Sequence, residues 1–405
     1  MKKFNKVLSV VVASAMVMAM AGCGNTDNGS AATGNNAATE SAAADNGAAS
    51  GSVFKIGGIG PTTGGAAVYG LAVQHGAEIA VEEINAAGGI NGYQVEFKFQ
   101  DDEADAEKSV NAYNALKDWG AQIIDGSTTS GACIAVTDKT KEDNMFQITP
   151  SGSAVECVQY DNNFRVCFSN PNQGLASAQY IGENGLAEKI AVIYDSSDVY
   201  SSGIYEKFVK EAENQPFEVV AAEAFTADNK TDFSVQLQKA KDAGADMVFL
   251  PIYYQESALI LTQAAAMGYA PKWFSCDGMD GILGGVDNFD VSLTEGVMLL
   301  TPFAADATDD LTQSFVTKYK EKYGETPNQF AADSYDAIYV IKAAIEKSGV
   351  TPDMSVSDIC DGMKAAMTEI TVDGLTGNGM TWTADGEANK APKAVVIENG
   401  AYKAM

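Results

Sequence analysis

The chain has 405 residues but only one histidine, His75. Because no second histidine is present, a catalytic Ser-His or Cys-His pair could form only with His75. His75 falls in the middle of a predicted helix, away from any strand end, which is typical of a packed or surface residue. The acidic run Asp101–Glu103 opens a predicted helix, where carboxylates complement the helix dipole. We therefore predict a protein that is not an enzyme.

Ligands for a metal or a nucleotide cofactor are equally scarce. None of the six cysteines has the spacing of a metal site. The run Gly58–Gly64 imitates a dinucleotide-binding fingerprint, but its third glycine is displaced by one position and Pro61 has no N–H to donate. We predict neither a metal nor a cofactor.

Basic residues are few, with 26 Lys and Arg against 54 Asp and Glu, so the formal net charge is −28. A nucleic-acid-binding protein is expected to carry a basic surface, so we exclude nucleic acid as a partner. The acidic excess favours solubility outside a membrane. It does not define a ligand, because a local pocket can oppose the field of the whole protein.

The apolar run near the start of the chain is too short for a stable transmembrane helix. It spans Val7–Ala21 after three early lysines, a pattern typical of a signal peptide. The segment Met20–Cys23 resembles a bacterial lipobox. We predict that residues 1–23 are a lipoprotein signal peptide and that Cys23 is acylated; ordinary cleavage with an incidental Cys23 is the alternative.

Residues 24–52 consist almost entirely of small and polar amino acids and contain no apolar residue larger than alanine. Such a segment cannot form a core, so we expect a flexible tether. These two segments together predict an extracytoplasmic protein that is held to the cell membrane only through a lipid anchor.

If Cys23 is lipidated, five cysteines remain, and this odd number leaves at least one thiol unpaired. Cys157 and Cys167 flank a short polar stretch and could close a disulfide in an oxidising compartment. Free thiols at both positions are the alternative.

From residue 53 onward, short apolar runs alternate with helical patterns of 10–17 residues. This alternation predicts parallel sheets that helices cover on both faces. Two such runs, 53–150 and 189–275, predict an α/β protein with two doubly wound, Rossmann-like lobes. Further apolar segments near Met380–Trp382 and Ala394–Ile397 are predicted to be closing strands.

The loops after three of the predicted strands share one chemistry, because they are rich in hydroxyls and glycines and lead into helices. Hydroxyls and free N–H groups at a helix N-terminus favour an anion such as a carboxylate. Ordinary helix capping is the alternative for each loop alone. The loops are Gly60–Gly65, Gly126–Gly131 and Thr149–Ser153.

Six short motifs lie along the body of the chain: Ile56–Gly65, Tyr69–Gly70, Ile84–Gly92, Ile148–Pro150, Phe164–Val166 and Phe330–Ala337. They resemble motifs of the type I periplasmic binding proteins, and in particular of the Leu/Ile/Val-binding proteins of branched-chain amino acid ABC importers. The most specific is the Asn-x-x-Gly-Gly-Ile-x-Gly run, and the similarity extends over nearly everything after the tether.

The resemblance implies two lobes that three crossover segments join and that close on a ligand in the cleft. We expect crossovers near residues 169–171, 301–303 and 371–374. Lobe 1 is expected to comprise residues 53–169 and 302–372, and lobe 2 residues 170–301 and 373–405.

The resemblance also implies which polar groups meet the ligand. Ser130, Ser151 and Ser153 match positions that bind the ligand's α-carboxylate. Asp277 matches an acidic residue that meets the α-ammonium. Asn170 stands where an aspartate is usual in the family, and this difference removes one negative charge that would favour an ammonium.

The expected walls of the cleft are aromatic. Tyrosine offers an apolar face to a side chain and a hydroxyl to polar groups. The matching positions are Tyr69, Tyr200, Tyr253 and Tyr335.

The resemblance therefore predicts a monomeric solute-binding protein that hands an amino acid, branched-chain or otherwise neutral, to ABC permease subunits. A ligand-sensing receptor of the same fold is one alternative, and a binder of amides or small aromatic or organic acids is another.

Overall fold

A computed structural model describes residues 51–405. The predicted signal peptide, Cys23 and the tether up to residue 50 lie outside the described residues. No helix within the described range is both long and apolar enough to cross a lipid bilayer.

The first sheet has five strands, all parallel, in the order β2-β1-β3-β4-β5. Its centre is buried, since β3 and β4 have no exposed residue, as expected of a parallel sheet covered on both faces. The strands are β1 (Phe54–Gly60), β2 (Val95–Asp101), β3 (Ile123–Gly126), β4 (Phe146–Thr149) and β5 (Asn163–Arg165).

Six helices belong to this half of the molecule, and α9 packs along α1 and reaches the sheet at β3 and β4. They are α1 (Ala67–Ala86), α2 (Ala106–Trp119), α3 (Ser130–Asp143), α8 (Asp310–Tyr323), α9 (Gln329–Ser348) and α10 (Val356–Met367). Their ends follow local rules: the Asp105 carboxylate accepts N–H bonds at the start of α2, and Gly120 ends that helix with a φ of 93°.

The second sheet has seven strands in the order β12-β11-β10-β9-β8-β6-β7. Strands β6 to β10 are parallel, and β11 and β12 add an antiparallel edge. The strands are β6 (Lys189–Asp195), β7 (Glu218–Phe225), β8 (Met247–Leu250), β9 (Lys272–Ser275), β10 (Met298–Thr301), β11 (Lys393–Glu398) and β12 (Ala401–Ala404). The helix before its first strand is α4 (Asn170–Glu183), and the helices between its strands are α5 (Val199–Ala212), α6 (Ser234–Asp242) and α7 (Tyr254–Ala266).

The two parallel sheets with covering helices confirm the predicted α/β class with two doubly wound lobes. One predicted closing strand is wrong: residues 380–382 form only isolated bridges, Val372 to Met380 and Trp382 to Ala388. Ala394–Ile397 does lie in a strand, β11.

The cysteines of the described residues are all free thiols, including Cys157 and Cys167. The disulfide suggested between these two positions is therefore not formed. A 3-10 helix, Val155–Val158, turns Cys157 towards α3, where it packs with Cys133 and its Sγ lies 3.7 Å from Ser130 O. Cys167 lies beyond β5, on the other side of the polar stretch.

Candidate functional site

A small cavity lies where the carboxyl ends of strands in both sheets face each other, the usual position of ligands in open α/β sheets. Its volume is about 10 Å³, the space of one water-sized sphere. The residues that line it are Tyr69, Thr128, Thr129, Ser130, Ser151, Tyr200, Tyr253, Asp277, Gly278 and Phe330. Six of the nine predicted ligand-binding residues are among them.

One end of the cavity is built from the N-terminus of α3. Thr129 is the N-cap residue, but its side chain makes no capping hydrogen bond. Its Oγ1 is buried, and no group in residues 51–405 bonds to it. The first N–H groups of a helix also lack partners within the helix and carry partial positive charge. This end therefore offers unused donors to an anion.

The three predicted serines lie beside Thr129, but their hydroxyls are largely used within the protein. Ser130 Oγ accepts hydrogen bonds from the N–H groups of Ser153 and Ala154, each over 3.1 Å. Ser151 Oγ donates to Thr128 O over 2.6 Å. Ser153 is buried, with its Oγ 3.5 Å from that of Ser130, and it does not line the cavity. The serine hydroxyls therefore link the loop after β3 to the loop after β4 through hydrogen bonds.

Arg165 at the end of β5 holds the loop after β4 in place. Its guanidinium is completely buried and donates to Gly152 O over 3.2 Å and to Ala154 O over 2.8 Å. Glu387 balances the charge, with Oε2 3.3 Å from Arg165 Nε. A buried arginine that satisfies two carbonyls in this way fixes the position of Ser151 and Ser153.

The opposite end of the cavity is the carboxylate of Asp277, which follows β9. Oδ1 accepts a hydrogen bond from Tyr200 Oη over 2.6 Å, and Oδ2 accepts one from Gln173 Nε2 over 2.9 Å. Burial raises the pKa of Asp277 to about 7, although these two hydrogen bonds oppose the rise. Both donors are neutral, and a carboxylate has about four acceptor positions. Asp277 can therefore still accept from an ammonium group, which would also balance its charge.

Aromatic rings form the walls between these two ends. Tyr200 and Tyr253 stack with centroids 4.9 Å apart and planes at 7°. Tyr69 contacts Tyr253 at 5.5 Å and Phe330 at 4.4 Å. Such rings provide apolar faces that suit an aliphatic side chain.

Tyr69 also ties the two halves of the protein together. It lies on α1, yet its Oη donates to Gly278 O and accepts from Tyr254 N over 3.1 Å, both in the second-sheet half. Gly278 also allows Tyr200 to approach closely, because a Cβ at that position would lie 2.6 Å from Tyr200 Oη. The cavity is therefore small because its walls touch one another.

Besides Ser153, two predicted site residues do not line the cavity. Asn170 is buried behind the cavity, where its N–H donates to Ser153 O over 2.7 Å and its Nδ2 to Val199 O over 3.0 Å. Tyr335 donates to Glu83 Oε2 over 2.6 Å and packs between α9 and α1. It lies about 1.4 helical turns beyond Phe330, so it faces a different side of α9.

The sequence analysis missed four residues that matter here. Thr129 belongs to a loop that was singled out for its hydroxyls, and its place as N-cap of α3 was the available signal. Gln173 lies in a helix that was not predicted. Gly278 and Phe330 carry no chemistry that distinguishes them in the sequence. The described residues contain no cluster of His, Cys, Asp and Glu that could hold a metal.

The family model described as "Periplasmic binding protein" matches residues 53–401. Leu/Ile/Val-binding protein homolog 3 of Brucella melitensis is 31% identical over 300 residues, which cover 74% of this chain and 80% of that protein. The Leu-, Ile-, Val-, Thr- and Ala-binding protein of Pseudomonas aeruginosa is 30% identical over 303 residues, covering 73% and 79%.

Among solved structures, the branched-chain amino acid transporter substrate binding protein LivJ of Streptococcus pneumoniae, in complex with isoleucine, superposes with a TM-score of 0.78. It is 28% identical, and the match covers 87% of this chain and 99% of that one. The members of this family are solute-binding proteins and not enzymes. With its two lobes and interlobe cavity, the chain belongs to the periplasmic binding protein family and is a homologue of the Leu/Ile/Val-binding proteins.

Proposed function

We propose that this protein is the substrate-binding component of an ABC importer and that it captures a neutral α-amino acid, with branched-chain amino acids preferred. The observation that carries the proposal is the polarity of the cavity. Unused donors at Thr129 and the start of α3 suit a carboxylate, and the carboxylate of Asp277 at the other end suits an ammonium. The tyrosine and phenylalanine rings between them suit an aliphatic side chain.

This polarity favours an amino acid over a simple organic acid. A zwitterion matches both ends, whereas an acid without an amine would leave the Asp277 charge unpaired beside it. An unpaired buried charge costs several kcal/mol or more. Because Asp277 supplies a negative charge, the presence of Asn170 does not remove the basis for binding an ammonium.

Isothermal titration calorimetry with a panel of amino acids and organic acids tests the ligand class. We expect leucine, isoleucine or valine to bind most tightly, and 4-methylpentanoate, which is leucine without its amine, to bind at least tenfold more weakly. Tighter binding of 4-methylpentanoate than of any amino acid would contradict the proposal. The variant Asp228→Asn is the matched control, because Asp228 is exposed and does not line the cavity.

Binding by this cavity requires the lobes to move. A space of about 10 Å³ cannot hold an amino acid, and the Tyr69 contacts bridge the halves. We therefore include hinge opening and closure in the proposal, with flexing at the crossovers near residues 169–171, 301–303 and 371–374. The ligand would stabilise the closed form through its higher affinity for that form.

Small-angle X-ray scattering tests this motion. We expect the radius of gyration to fall when a binding amino acid is added at saturation. Identical scattering curves with and without ligand would argue against lobe closure.

The proposal also covers how the protein is attached to the membrane and which proteins it binds. We propose that Cys23 is lipidated and that residues 24–52 tether the body to the outer face of the membrane. Cys23→Ala should move the protein from the membrane fraction to the soluble fraction. Co-purification with permease and ATPase subunits is expected of an importer, whereas co-purification with a kinase alone would favour the sensing alternative.

A further inference from the structure

A second, larger cavity lies beside the first one. Its volume is about 490 Å³, within the range of pockets that bind small organic molecules. It is bounded by α1 and α8 on one side and by the loop after β9, the end of β10 and the turn between β11 and β12 on the other. Both halves of the protein therefore contribute to it.

The interior of this second cavity is mainly apolar. Leu299 and Phe303 are buried in its wall, and Val68 and Leu283 are partly buried there. The exposed rim carries two acidic and two basic side chains, whose formal charges cancel. They are Asp306, Glu325, Lys320 and Lys403.

Asp280 supplies the charge inside the second cavity. Its side chain is only 5% exposed, and Oδ2 accepts a hydrogen bond from the Gln329 N–H at the start of α9 over 2.9 Å. Oδ1 has no partner of normal hydrogen-bond geometry among the described residues, and the neutral Tyr402 hydroxyl, which accepts from the Gly281 N–H, is the donor close to this carboxylate. Capping of α9 therefore occupies one oxygen, and no cation balances the charge of the carboxylate.

A buried carboxylate that has only neutral hydrogen-bond donors and an apolar surrounding matches one class of ligand. The ammonium of a small amine would supply a charged donor and the missing positive charge, and the apolar body of the amine would pack on the cavity wall. We propose that the second cavity is an accessory binding site for a small primary amine with an apolar body, whose ammonium pairs with Asp280.

The accessory site is separate from the first cavity, although the two share a wall. Gln329 donates its N–H to Asp280 and its Nε2 to Asp277 O over 3.1 Å, so one residue touches the walls of both. The loop after β9 lies between the two cavities and packs directly against α1. A Cβ atom added at Gly285 in this loop would lie only 2.6 Å from Val68 Cγ2. A test must therefore distinguish an amine bound at Asp280 from an amine bound at Asp277.

The test is a calorimetric titration of the full chain with 2-phenylethylamine in saturating leucine. We expect saturable binding to one site and roughly tenfold or greater weakening when 2-phenylethanol replaces the amine, because a hydrogen bond between charged groups is lost. Asp280→Asn should weaken amine binding by a similar factor. Gly284→Phe should abolish it, because Gly284 lines the cavity and a Cβ there has no atom within 4 Å.

The same titration without leucine separates the two sites. Asp277→Asn should bind 2-phenylethylamine within about twofold of the wild type if the amine pairs with Asp280. The proposal is overturned if the wild type shows no saturable binding at millimolar amine, or if Asp277→Asn abolishes binding. Unchanged binding by Gly284→Phe would overturn it as well, and this variant keeps the test decisive if Asp280→Asn does not fold.

Discussion

Tyr200 Oη donates a hydrogen bond of 2.6 Å to Asp277 Oδ1, so a neutral phenol orients the one carboxylate that lines the first cavity. The hydrogen bond fixes the position of the carboxylate without neutralising it. Burial raises the pKa of Asp277 to about 7, which means that the ionised carboxylate is energetically unfavourable at this buried position. An ammonium group would remove that cost, and this relationship is the basis of the predictions below.

The first prediction concerns the charge of Asp277. Asp277→Asn keeps the shape of the side chain but leaves a bound ammonium without its partner, so leucine binding should weaken by about 2–5 kcal/mol. Binding of 4-methylpentanoate, which has no amine, should be equal or stronger in the variant. Titration calorimetry of both ligands measures the difference, and equal losses for the two would show that Asp277 does not meet the amine.

The second prediction concerns the unused donor at the other end. Thr129→Val replaces the hydroxyl with a methyl group of similar size, so leucine binding should weaken by about 1–3 kcal/mol. Leucinol, which lacks the carboxylate, should bind the variant and the wild type alike. The control is Thr308→Val, which changes an exposed threonine. If Thr129→Val binds leucine as tightly as wild type, Thr129 is not a carboxylate ligand.

The third prediction is a pH dependence of binding. An ammonium ligand requires ionised Asp277, and burial in this cavity raises the pKa of that carboxyl to about 7. Leucine affinity should therefore fall roughly tenfold for each pH unit below 7. Asp333 and Lys390 form a buried ion pair nearby, with Nζ 2.8 Å from Oδ1, and both remain in the variant Asp277→Asn. In Asp277→Asn, leucine affinity should lose most of its dependence on pH. If wild type and variant showed the same change of leucine affinity with pH, a group other than Asp277 would be responsible.

The same pKa has the opposite effect on the stability of the ligand-free protein. The unfolded chain binds a proton at Asp277 with a pKa near ~3.9, so the raised folded value means that protonation favours the folded state. This contribution is complete below the unfolded value and is lost as the pH rises through about 7. Urea unfolding at pH 6 and pH 8 should show a smaller change in stability for Asp277→Asn than for wild type.

The fourth prediction concerns Arg165. Arg165→Met leaves the carbonyls of Gly152 and Ala154 and the carboxylate of Glu387 without their partner, so the free energy of unfolding should fall by about 3–5 kcal/mol. Lys139→Met is the control, because it breaks only the exposed pair with Glu142 and should cost less than about 1 kcal/mol. Equal losses in urea unfolding would mean that the buried contacts of Arg165 do not stabilise the fold.

Much of the fold could be predicted because parallel strands buried on both faces leave continuous apolar runs in the sequence. Strand β8, Met247–Leu250, is a clear case, since every one of its residues is buried. Helix α4 was missed because glycines and polar residues weaken its apolar pattern. Its capping signal was nevertheless present, as Ser169 caps the helix and Pro171 lies in its first turn.

The candidate site could be predicted only in part, because position in a motif does not fix the direction of a side chain. Tyr335 belongs to a motif of the family, but the pitch of α9 turns it towards Glu83, whereas Phe330 faces the cavity. Thr129 and Ser130 are neighbours with similar chemistry, and only the structure shows that the Ser130 hydroxyl is engaged while that of Thr129 is unused. Such assignments depend on hydrogen-bond geometry, which the sequence does not contain.

The most direct test of the proposed function is a crystal structure of the protein with leucine. We predict lobes further apart at the first cavity than the present Tyr69 contacts allow, with the leucine carboxylate within hydrogen-bond distance of Thr129 Oγ1 and its ammonium bonded to Asp277. A leucine bound in the reverse orientation, or bound outside this cavity, would contradict the account.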